Sequence, residues 1–527
     1  MPLELAKEYL DVDQELKRFN IQTMIEENVV VPDFKPDIYK ILSVKGDIHV
    51  NNQVIENNKF FVEGIVECLI LYQTQEEGVK LQNINLQIPF TQSIDVEEEG
   101  DVHASLNTSV EYLDFDLVNS RKLNIRGVLG LKGKFIKKEQ YPLLNDIKGL
   151  EDMQMLRNWV KITTIVDKIK DQAMVKEQID IGEMPSIIEI IKSQAKVLEK
   201  EIKLADGQIM INGTIEVEMV YIGEANDNQS VEYLEYKMPF AHIVEVLSLK
   251  EELDYEYQLH FNVEEILTQV NSNEEGKFNI IDIEVLVGIQ GDIYQDHQVE
   301  SIVDAYSPSV QTNLQKEQIQ CHQIVVNEKV QSVIKEKISS SVEQPSIQNI
   351  ISVDGEVKVS ESQRQEEQWV VEGIVEVEVL YRALGEEETY DIIRKEIPFT
   401  QAFDLDLKEE VNGDVSVSIH PISFQLVGND EVDLKIVLDI QCQLFKPVGF
   451  YCINEIEELA EVQQEESNEA KISVYFKQPN DSLWEIAKRY GVTMEEISSE
   501  NQIEDQENIA NYTPIIIAKN NKYSLKQ

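Results

Sequence analysis

Hydrophobic and polar side chains alternate along several stretches of this 527-residue chain. In VEGIVEVEVLY, residues 371–381, apolar side chains alternate with three glutamates, which is the two-residue period of a strand with one buried face. The stretches VDLKIVLDIQCQLF (432–445) and FNIIDIEVLVGIQGDIY (278–294) follow the same period. The pattern therefore predicts a mainly β protein.

One motif of proline, glycine and proline-phenylalanine occurs three times. Its copies are Pro36, Gly64 and Pro89; Pro185, Gly213 and Pro239; and Pro345, Gly373 and Pro398. In every copy 28 residues separate the first proline from the glycine, and 25 or 26 separate the glycine from the second proline. The glycines are 149 and 160 residues apart, a domain-sized period that is far longer than that of solenoid repeats. We therefore predict three separate domains.

Each copy of the motif suggests local structure. The glycine near the start of its strand indicates a bulge or a close approach of another backbone segment. The segment after the first proline has an apolar spacing that fits a short helix running into a strand. A glutamate three residues after each glycine (Glu67, Glu216 and Glu376) falls on the polar side of the alternation, so we expect a solvated face and not a catalytic pair.

The end of the chain has a different composition. Residues 454–470 hold seven glutamates and no basic residue, which is typical of a linker or a solvated helix. From residue 471 onward, eight acidic residues face seven basic ones. There, ISVYF predicts a strand, Leu483, Ile486, Ala487 and Tyr490 form the apolar stripe of a helix that Gly491 ends, and TMEE predicts a capping box for a second helix. With YTPIIIA as the last strand, the segment is a βααβ unit.

These patterns give a predicted domain organisation. It comprises a helical N-terminal extension (1–20), repeat domains at 21–145, 160–305 and 320–453, an acidic linker (454–470) and the βααβ unit (471–520).

Composition restricts the function. A formal net charge of −51 repels phosphate backbones and anionic lipid heads, so we expect no binding to nucleic acid or to a membrane surface. No segment approaches the 18 apolar residues that span a bilayer, so we expect no membrane insertion either. The seven histidines form no metal-binding pair, Cys321 and His322 are adjacent without metal-ligand spacing, and no phosphate-binding loop, dinucleotide fingerprint or nucleophile elbow occurs. We therefore predict a non-enzymatic protein without a cofactor or metal.

Two features suggest a reducing compartment. The four cysteines (Cys68, Cys321, Cys442 and Cys452) are scattered, so we expect buried free thiols and no disulfide framework. The first twenty residues contain charges where a signal peptide needs an uninterrupted apolar run. We therefore expect a cytoplasmic protein that is not secreted.

The stretch NDSLWEIAKRYGVTMEEISSEN, residues 480–501, resembles the LysM domain. The resemblance implies a groove for N-acetylglucosamine glycans between two loops, here Asn480, Asp481, Ser482, Leu483 and Trp484 on one side and Asn511, Tyr512, Thr513 and Pro514 on the other. Asn480 stands where the family has a glycine, and ANYT (510–513) replaces its Pro-Gly-Gln turn, so side chains are added where a glycan approaches the backbone. Trp484 and Tyr512 could stack on a sugar, and Trp484 could equally anchor a partner protein or pack in a core. We favour protein docking.

The three repeats resemble the SPOCS domains of spore coat assembly proteins, through VEGIVEVEVLY and IPFTQ above all. The second copy departs most, with Asn212 before the glycine and Ala241-His242 in place of Thr-Gln. The resemblance implies a scaffold in the mother-cell cytoplasm, at the forespore surface, that binds the ATPase polymerising into the coat's basement layer, partly through the LysM domain. Other coat proteins are further partners that it allows. The alternatives are a glycan-binding protein of the wall or cortex and an enzyme with a site of unknown type in the repeats.

Overall fold

The computed structural model of the chain describes residues 3–97, 100–385, 388–405, 409–461, 472–506 and 508–518. Strands dominate these residues, which confirms the mainly β prediction. Repeat 1 contains β1 (Glu4–Val30), β2 (Lys40–Glu56), β3 (Lys59–Gln73), β4 (Leu81–Asp95), β5 (Val102–Asn119) and β6 (Lys122–Lys148).

Two three-stranded antiparallel sheets form repeat 1. One is the meander β2-β3-β4, and the other has the order β1-β6-β5 and so joins the first strand to the last. Apolar side chains of both sheets, among them Phe60, Val66, Leu129 and Phe135, meet in one core. Repeat 1 is therefore a β-sandwich, because its two sheets bury apolar faces against each other.

Repeats 2 and 3 have the same organisation. Repeat 2 contains β7 (Gln154–Asp180), β8 (Ser186–Ala205), β9 (Gln208–Ala225), β10 (Asn228–Glu245), β11 (Glu256–Asn271) and β12 (Ile280–Tyr306). Repeat 3 contains β13 (Val310–Ser339), β14 (Ile347–Gln365), β15 (Gln368–Ala383), β16 (Tyr390–Asp404), β17 (Asn412–Ile419), β18 (Ser423–Val427) and β19 (Glu431–Glu461). The meanders are β8-β9-β10 and β14-β15-β16, and the second sheets again join first and last strands, as β7-β12-β11 and as β13-β19 with β17 and β18 on the same edge.

In repeats 1 and 3 the motif glycine marks a close approach, as predicted. A Cβ atom on Gly64 would lie 2.4 Å from the carbonyl oxygen of His49 and 2.8 Å from the ring of Phe90. Gly373 is in the same position, 2.5 Å from the carbonyl oxygen of Lys358. Next to each glycine the neighbouring strand has a register shift, at Val50/Asn52 and at Val359/Glu361. The phenylalanine of the Pro-Phe pair therefore covers a bulge that only glycine can face.

The motif prolines also have structural roles. Pro89, Pro239 and Pro398 lie in β4, β10 and β16, which are edge strands of the meanders. Proline has no N–H to donate, so it is tolerated at an edge and discourages the pairing of another chain there. The segments after the first prolines contain no helix, contrary to our prediction, because the chain enters β2, β8 or β14 within four residues of the proline.

The three sandwich domains share apolar clusters, so they are not the independent units that we predicted. Corresponding residues of the three meanders pack into one shared cluster, in three triplets: Leu42, Ile191 and Ile351; Leu71, Val220 and Leu380; and Leu81, Val231 and Tyr390. The long strands of the second sheets form another shared cluster, which contains Val12, Ile162 and Cys321. Because corresponding residues meet, the repeats surround a common pseudo-threefold axis.

A ring of polar side chains lies within the meander junction. Lys192 places its ammonium nitrogen 2.5 Å from both carboxylate oxygens of Asp354, and Lys45 lies 3.2 Å from Asp354 and from Glu378. Burial alone would raise the pKa of Asp354, but the two ammonium groups outweigh burial and hold this pKa far below its usual range. One carboxylate of repeat 3 is thus clamped between lysines of repeats 1 and 2.

The strands also change the predicted boundaries. Residues 4–20 belong to β1 and pair with β6, so the predicted helical extension is wrong. The predicted linker begins too early, because residues 454–461 continue β19, and residues 462–470 lie outside the described residues. All four cysteines are buried free thiols, as expected.

The C-terminal module (residues 472–518) is the predicted βααβ unit. It contains β20 (Ile472–Phe476), α1 (Leu483–Tyr490), α2 (Met494–Asn501) and β21 (Pro514–Ala518), and β20 pairs with β21. Of the residues that the structure describes, only these two eight-residue helices are helical elements, and neither could cross a membrane.

The tyrosine that ends each meander's central strand offers a matched test. The hydroxyls of Tyr72 and Tyr381 donate to the carbonyl oxygens of Pro36 and Pro345, each at 3.0 Å, whereas the buried hydroxyl of Tyr221 has no partner. We expect Tyr72→Phe and Tyr381→Phe each to lower the free energy of unfolding by about 1 kcal/mol. Tyr221→Phe should leave it unchanged or raise it slightly, and urea titration followed by circular dichroism measures all three.

The polar ring predicts a larger effect. Asp354→Ala leaves the buried ammonium group of Lys192 and the half-buried one of Lys45 with one remaining carboxylate, and we expect a loss of about 3–5 kcal/mol of stability in the same titration. Glu97→Ala, which breaks the exposed pair of Glu97 with Lys17, is the control and should not shift the unfolding midpoint. Equal midpoints for the two variants would contradict the role given to the ring.

Candidate functional site

The first candidates for chemistry are the carboxylate, histidine and cysteine side chains of the repeats. Among the described residues, no group of three or more histidine, cysteine, aspartate or glutamate side chains could hold a metal ion. Glu67 and Glu376 are partly or fully exposed, as expected, but Glu216 is only 3% exposed, so the prediction of a solvated face is wrong for repeat 2. Both faces of β9 are covered there, burial raises the pKa of Glu216, and its carboxylate pairs with Lys237 at 3.0 Å.

Local hydrogen bonds determine where the two helices of the C-terminal module begin. Ser482 caps α1, its hydroxyl accepts from the backbone N–H of Glu485, and the Glu485 side chain accepts from the backbone N–H of Ser482. Thr493 and Glu496 form the same reciprocal pair at the start of α2, as the sequence predicted. Gly491 ends α1 in the left-handed conformation, with φ of 65°.

The two predicted loops lie next to each other. The backbone N–H of Tyr512 donates to the carbonyl oxygen of Lys477 at 2.7 Å, and the N–H of Lys477 donates to the carbonyl oxygen of Thr513 at 3.1 Å. The Lys477 ammonium group also donates to the Asn511 side chain. The loop before α1 and the loop before β21 are therefore held side by side, which is the arrangement that a groove between them requires.

Two groove residues occupy conformations that favour glycine. Asn480 has φ of 74° and Tyr512 has φ of 64°, and both side chains are exposed. Asparagine tolerates this region, whereas a tyrosine there carries strain. The backbone thus keeps turns suited to glycine, while the side chains occupy the space above them.

The remaining groove residues support the module itself. Asp481 accepts a hydrogen bond from the Tyr475 hydroxyl at 2.6 Å and another from the backbone N–H of Gln478, and these bonds lower the pKa of Asp481. Leu483 is buried in the module's core. Thr513 donates to the carbonyl oxygen of Ala510, and Pro514 is exposed at the start of β21.

The side chain of Trp484 is not exposed to solvent. It is 6% exposed and packs edge-on against Tyr306 of repeat 2, with 4.9 Å between the ring centroids. The indole N–H donates to the carboxylate of Asp304 at 2.7 Å, and the Lys488 ammonium group lies 2.7 Å from the same carboxylate. The Tyr306 hydroxyl in turn donates to the carbonyl oxygen of Val492 at 2.8 Å. Trp484 anchors the module to repeat 2 of its own chain.

The structure also shows an apolar surface that sequence reasoning missed. Ile472, Val474 and Phe476 of β20 and Ile516 of β21 are 62%, 55%, 56% and 42% exposed. Val474 lies opposite Ile516 and Phe476 opposite Pro514, so these side chains form one face, which we call the sheet face. The alternation in ISVYF was the available signal, but it does not say which of its two sides is covered.

Comparison with known families explains this organisation. The family model described as SipL, SPOCS domain matches residues 37–118, 186–271 and 346–427, and the LysM domain model matches residues 478–510. The chain is built from three SPOCS domains and one LysM domain. No curated protein and no solved structure matched it.

The matches cover only part of each repeat. Each SPOCS match contains the meander and the strand or strands that follow it, such as β2 to β5 in repeat 1. The long first and last strands, β1 with β6, β7 with β12 and β13 with β19, lie outside the matched ranges for most or all of their length. SPOCS and LysM are non-catalytic domain families, and their combination fits a sporulation coat protein or a cell-wall-binding protein.

Proposed function

We propose that this chain is a non-enzymatic scaffold of spore coat assembly. In this role it lies in the mother-cell cytoplasm, at the forespore surface, and tethers the basement layer of the coat by binding the ATPase that polymerises there. The combination of three SPOCS domains with a LysM domain carries the proposal. It gives the LysM domain a task in protein recognition that needs no contact with the cell wall.

The sheet face supports protein recognition by the LysM domain. Four neighbouring apolar side chains on a small module form a surface of the kind that proteins bury against one another. The loop that begins with Asn511 adjoins this face through Pro514, opposite Phe476. A protein partner could therefore cover the sheet face and the groove loops together.

The charge distribution favours the same module. Residues 471–527 carry a formal charge of −1, so the remaining 470 residues carry −50 of the total of −51. The acidic body repels anionic surfaces and attracts basic ones, whereas the LysM domain can be covered with little electrostatic penalty. A partner with an apolar contact and a basic fringe would satisfy both surfaces.

The pseudo-threefold body adds multivalency. Corresponding surfaces of the SPOCS domains face outward in three directions around one axis. A polymer presents many identical subunits, so one weak contact raises the effective concentration for the next. Strong attachment to a basement layer then needs no single tight site.

The sheet face provides a sharp test. Val474→Arg places a charge in the middle of this face without touching the module's core, and we expect at least about a tenfold loss of affinity for the purified coat ATPase. Val333→Arg is the control, because Val333 is about equally exposed, at 50%, on a strand of repeat 3. Calorimetry measures the affinity, and fluorescence imaging of tagged chains in sporulating cells measures the location.

A shell around the forespore that Val474→Arg disperses and Val333→Arg retains supports the scaffold. Equal binding by both variants and the unaltered chain removes the LysM sheet face from the proposal. A signal in the vegetative wall or in the medium contradicts the cytoplasmic scaffold as a whole.

Glycan binding is the second candidate, since LysM domains suggest it and the exposed ring of Tyr512 borders the groove. The side chains of Asn480 and Tyr512 oppose it, because they fill positions where a glycan needs a bare backbone. We expect no binding of an N-acetylglucosamine hexamer at millimolar concentration, and gain of binding in an Asn480→Gly/Tyr512→Gly variant. Saturable micromolar binding by the unaltered chain would favour the wall or cortex protein.

A further inference from the structure

The contact between the LysM domain and repeat 2 withholds a groove residue from outside ligands. Trp484 lies on one wall of the groove, yet its indole packs against Tyr306 and donates to Asp304. We propose that this contact is an autoinhibitory latch, formed by Asp304 and Tyr306 on repeat 2 and by Trp484 and Lys488 on the LysM domain. Opening the latch releases Trp484 for an external partner, so the inference rests on the proposed function.

Repeat 2 is distinctive at this position. The ends of β6, β12 and β19 share a register shift, and the acidic residues Asp146, Asp304 and Glu455 follow it at corresponding places. Two residues further on, the three strands carry Lys148, Tyr306 and Glu457. Only repeat 2 thus combines the acid with an aromatic ring, which explains why Trp484 docks there.

The latch is small enough to open. It consists of one aromatic pair, the packing of Leu156 against the LysM cluster, one hydrogen bond from Tyr306 to the carbonyl oxygen of Val492, and two charge-assisted bonds to a single carboxylate. Each such bond contributes about 1–3 kcal/mol, well below the packing free energy of a domain core. The covalent connection makes closure intramolecular, so even modest contacts keep the latch mostly closed.

Opening the latch does not leave the carboxylate of Asp304 on repeat 2 without a partner. Lys316 of β13 lies 2.9 Å from Asp304, on the same carboxylate that binds Trp484 and Lys488. Burial acts to raise the pKa of Asp304, but the bonds from Lys488, Trp484 and Lys316 together lower it. When the LysM domain leaves, Lys316 remains as a partner, so Asp304 avoids the penalty of an unpaired carboxylate.

Fluorine NMR on the full chain labelled with 5-fluorotryptophan tests the latch. The chain has three tryptophans, so the exposed Trp159 and the buried Trp369 serve as internal references for Trp484. We compare the unaltered chain with Asp304→Asn/Tyr306→Phe, which leaves every LysM residue unchanged. The resonance of Trp484 should respond to exchange of H₂O for D₂O like that of Trp369 in the unaltered chain, and like that of Trp159 in the variant.

Two further variants test whether exposure of Trp484 results from loss of the contact with Asp304 and not from a change of charge on the LysM domain. Lys488→Glu opposes Asp304 from the other side of the latch and should also expose Trp484, whereas Lys477→Glu makes the same charge change away from Asp304 and should not. Unchanged signals of Trp159 and Trp369 show that the body stays folded. A protected Trp484 in both Asp304→Asn/Tyr306→Phe and Lys488→Glu would overturn the latch, because the contact would then be permanent.

Affinity decides whether the latch inhibits. If the closed state makes up about nine tenths of the unaltered chain, opening it should tighten binding about tenfold. The probes are the purified coat ATPase and an N-acetylglucosamine hexamer, each titrated into the unaltered chain and into Asp304→Asn/Tyr306→Phe. Equal or weaker binding by the variant overturns the inhibitory role. Binding of neither probe to any variant overturns the proposed function and the inhibitory role together, while the NMR signal still reports whether the latch opens.

Discussion

The arrangement of this protein depends on one buried carboxylate, that of Asp354, between the ammonium groups of Lys45 and Lys192. Corresponding ring positions carry Lys45, Gln194 and Asp354 in one set and Ser43, Lys192 and Ser352 in the other. Three copies of repeat 1 would therefore bring three lysines together at the junction, and three copies of repeat 3 would bring three aspartates together there. Such a cluster is strongly unfavourable, whereas the three different repeats leave opposite charges in contact.

This constraint explains why the repeats occupy one chain. Around the charged ring, triplets of corresponding apolar residues fill the junction from all three sides. This apolar packing favours a threefold arrangement, but it would favour three copies of one repeat as much as three different repeats. The charges of Lys45, Lys192 and Asp354 favour the combination of three different repeats. The long strands follow the same axis, and a further cluster at their ends, which includes Leu144, Ile302 and Ile453, places the end of β12 where the LysM domain docks.

The sequence predicted the parts of the fold that neighbouring residues determine. Alternation identified several strands, among them parts of β12, β15 and β19, and serine, threonine, glutamate and glycine at fixed positions identified both helices of the LysM domain. Residues 4–20 were mistaken for a helix because their charges obscure the alternation, and their partner strand β6 lies more than 100 residues away in the chain. The predicted independence of the repeats failed for a related reason, since Leu42 and Leu71 pack against other repeats on the side of the strand that usually faces water.

In the candidate site, too, the sequence predicted the features that neighbouring residues determine and missed the contacts with distant residues. The LysM pattern predicted which two loops could border a groove, and backbone hydrogen bonds of Lys477 hold these loops side by side. The environment of Trp484 did not follow, because Asp304 and Tyr306 are more than 170 residues away and only the second repeat supplies them. From the sequence alone, a tryptophan beside an apolar stripe fits a contact with another protein and a contact within its own chain equally well. The surface of repeat 2 has to be known before the two can be told apart. Since the acid recurs in all three repeats and the aromatic ring does not, Tyr306 is the residue that converts a common surface into the docking site of the LysM domain.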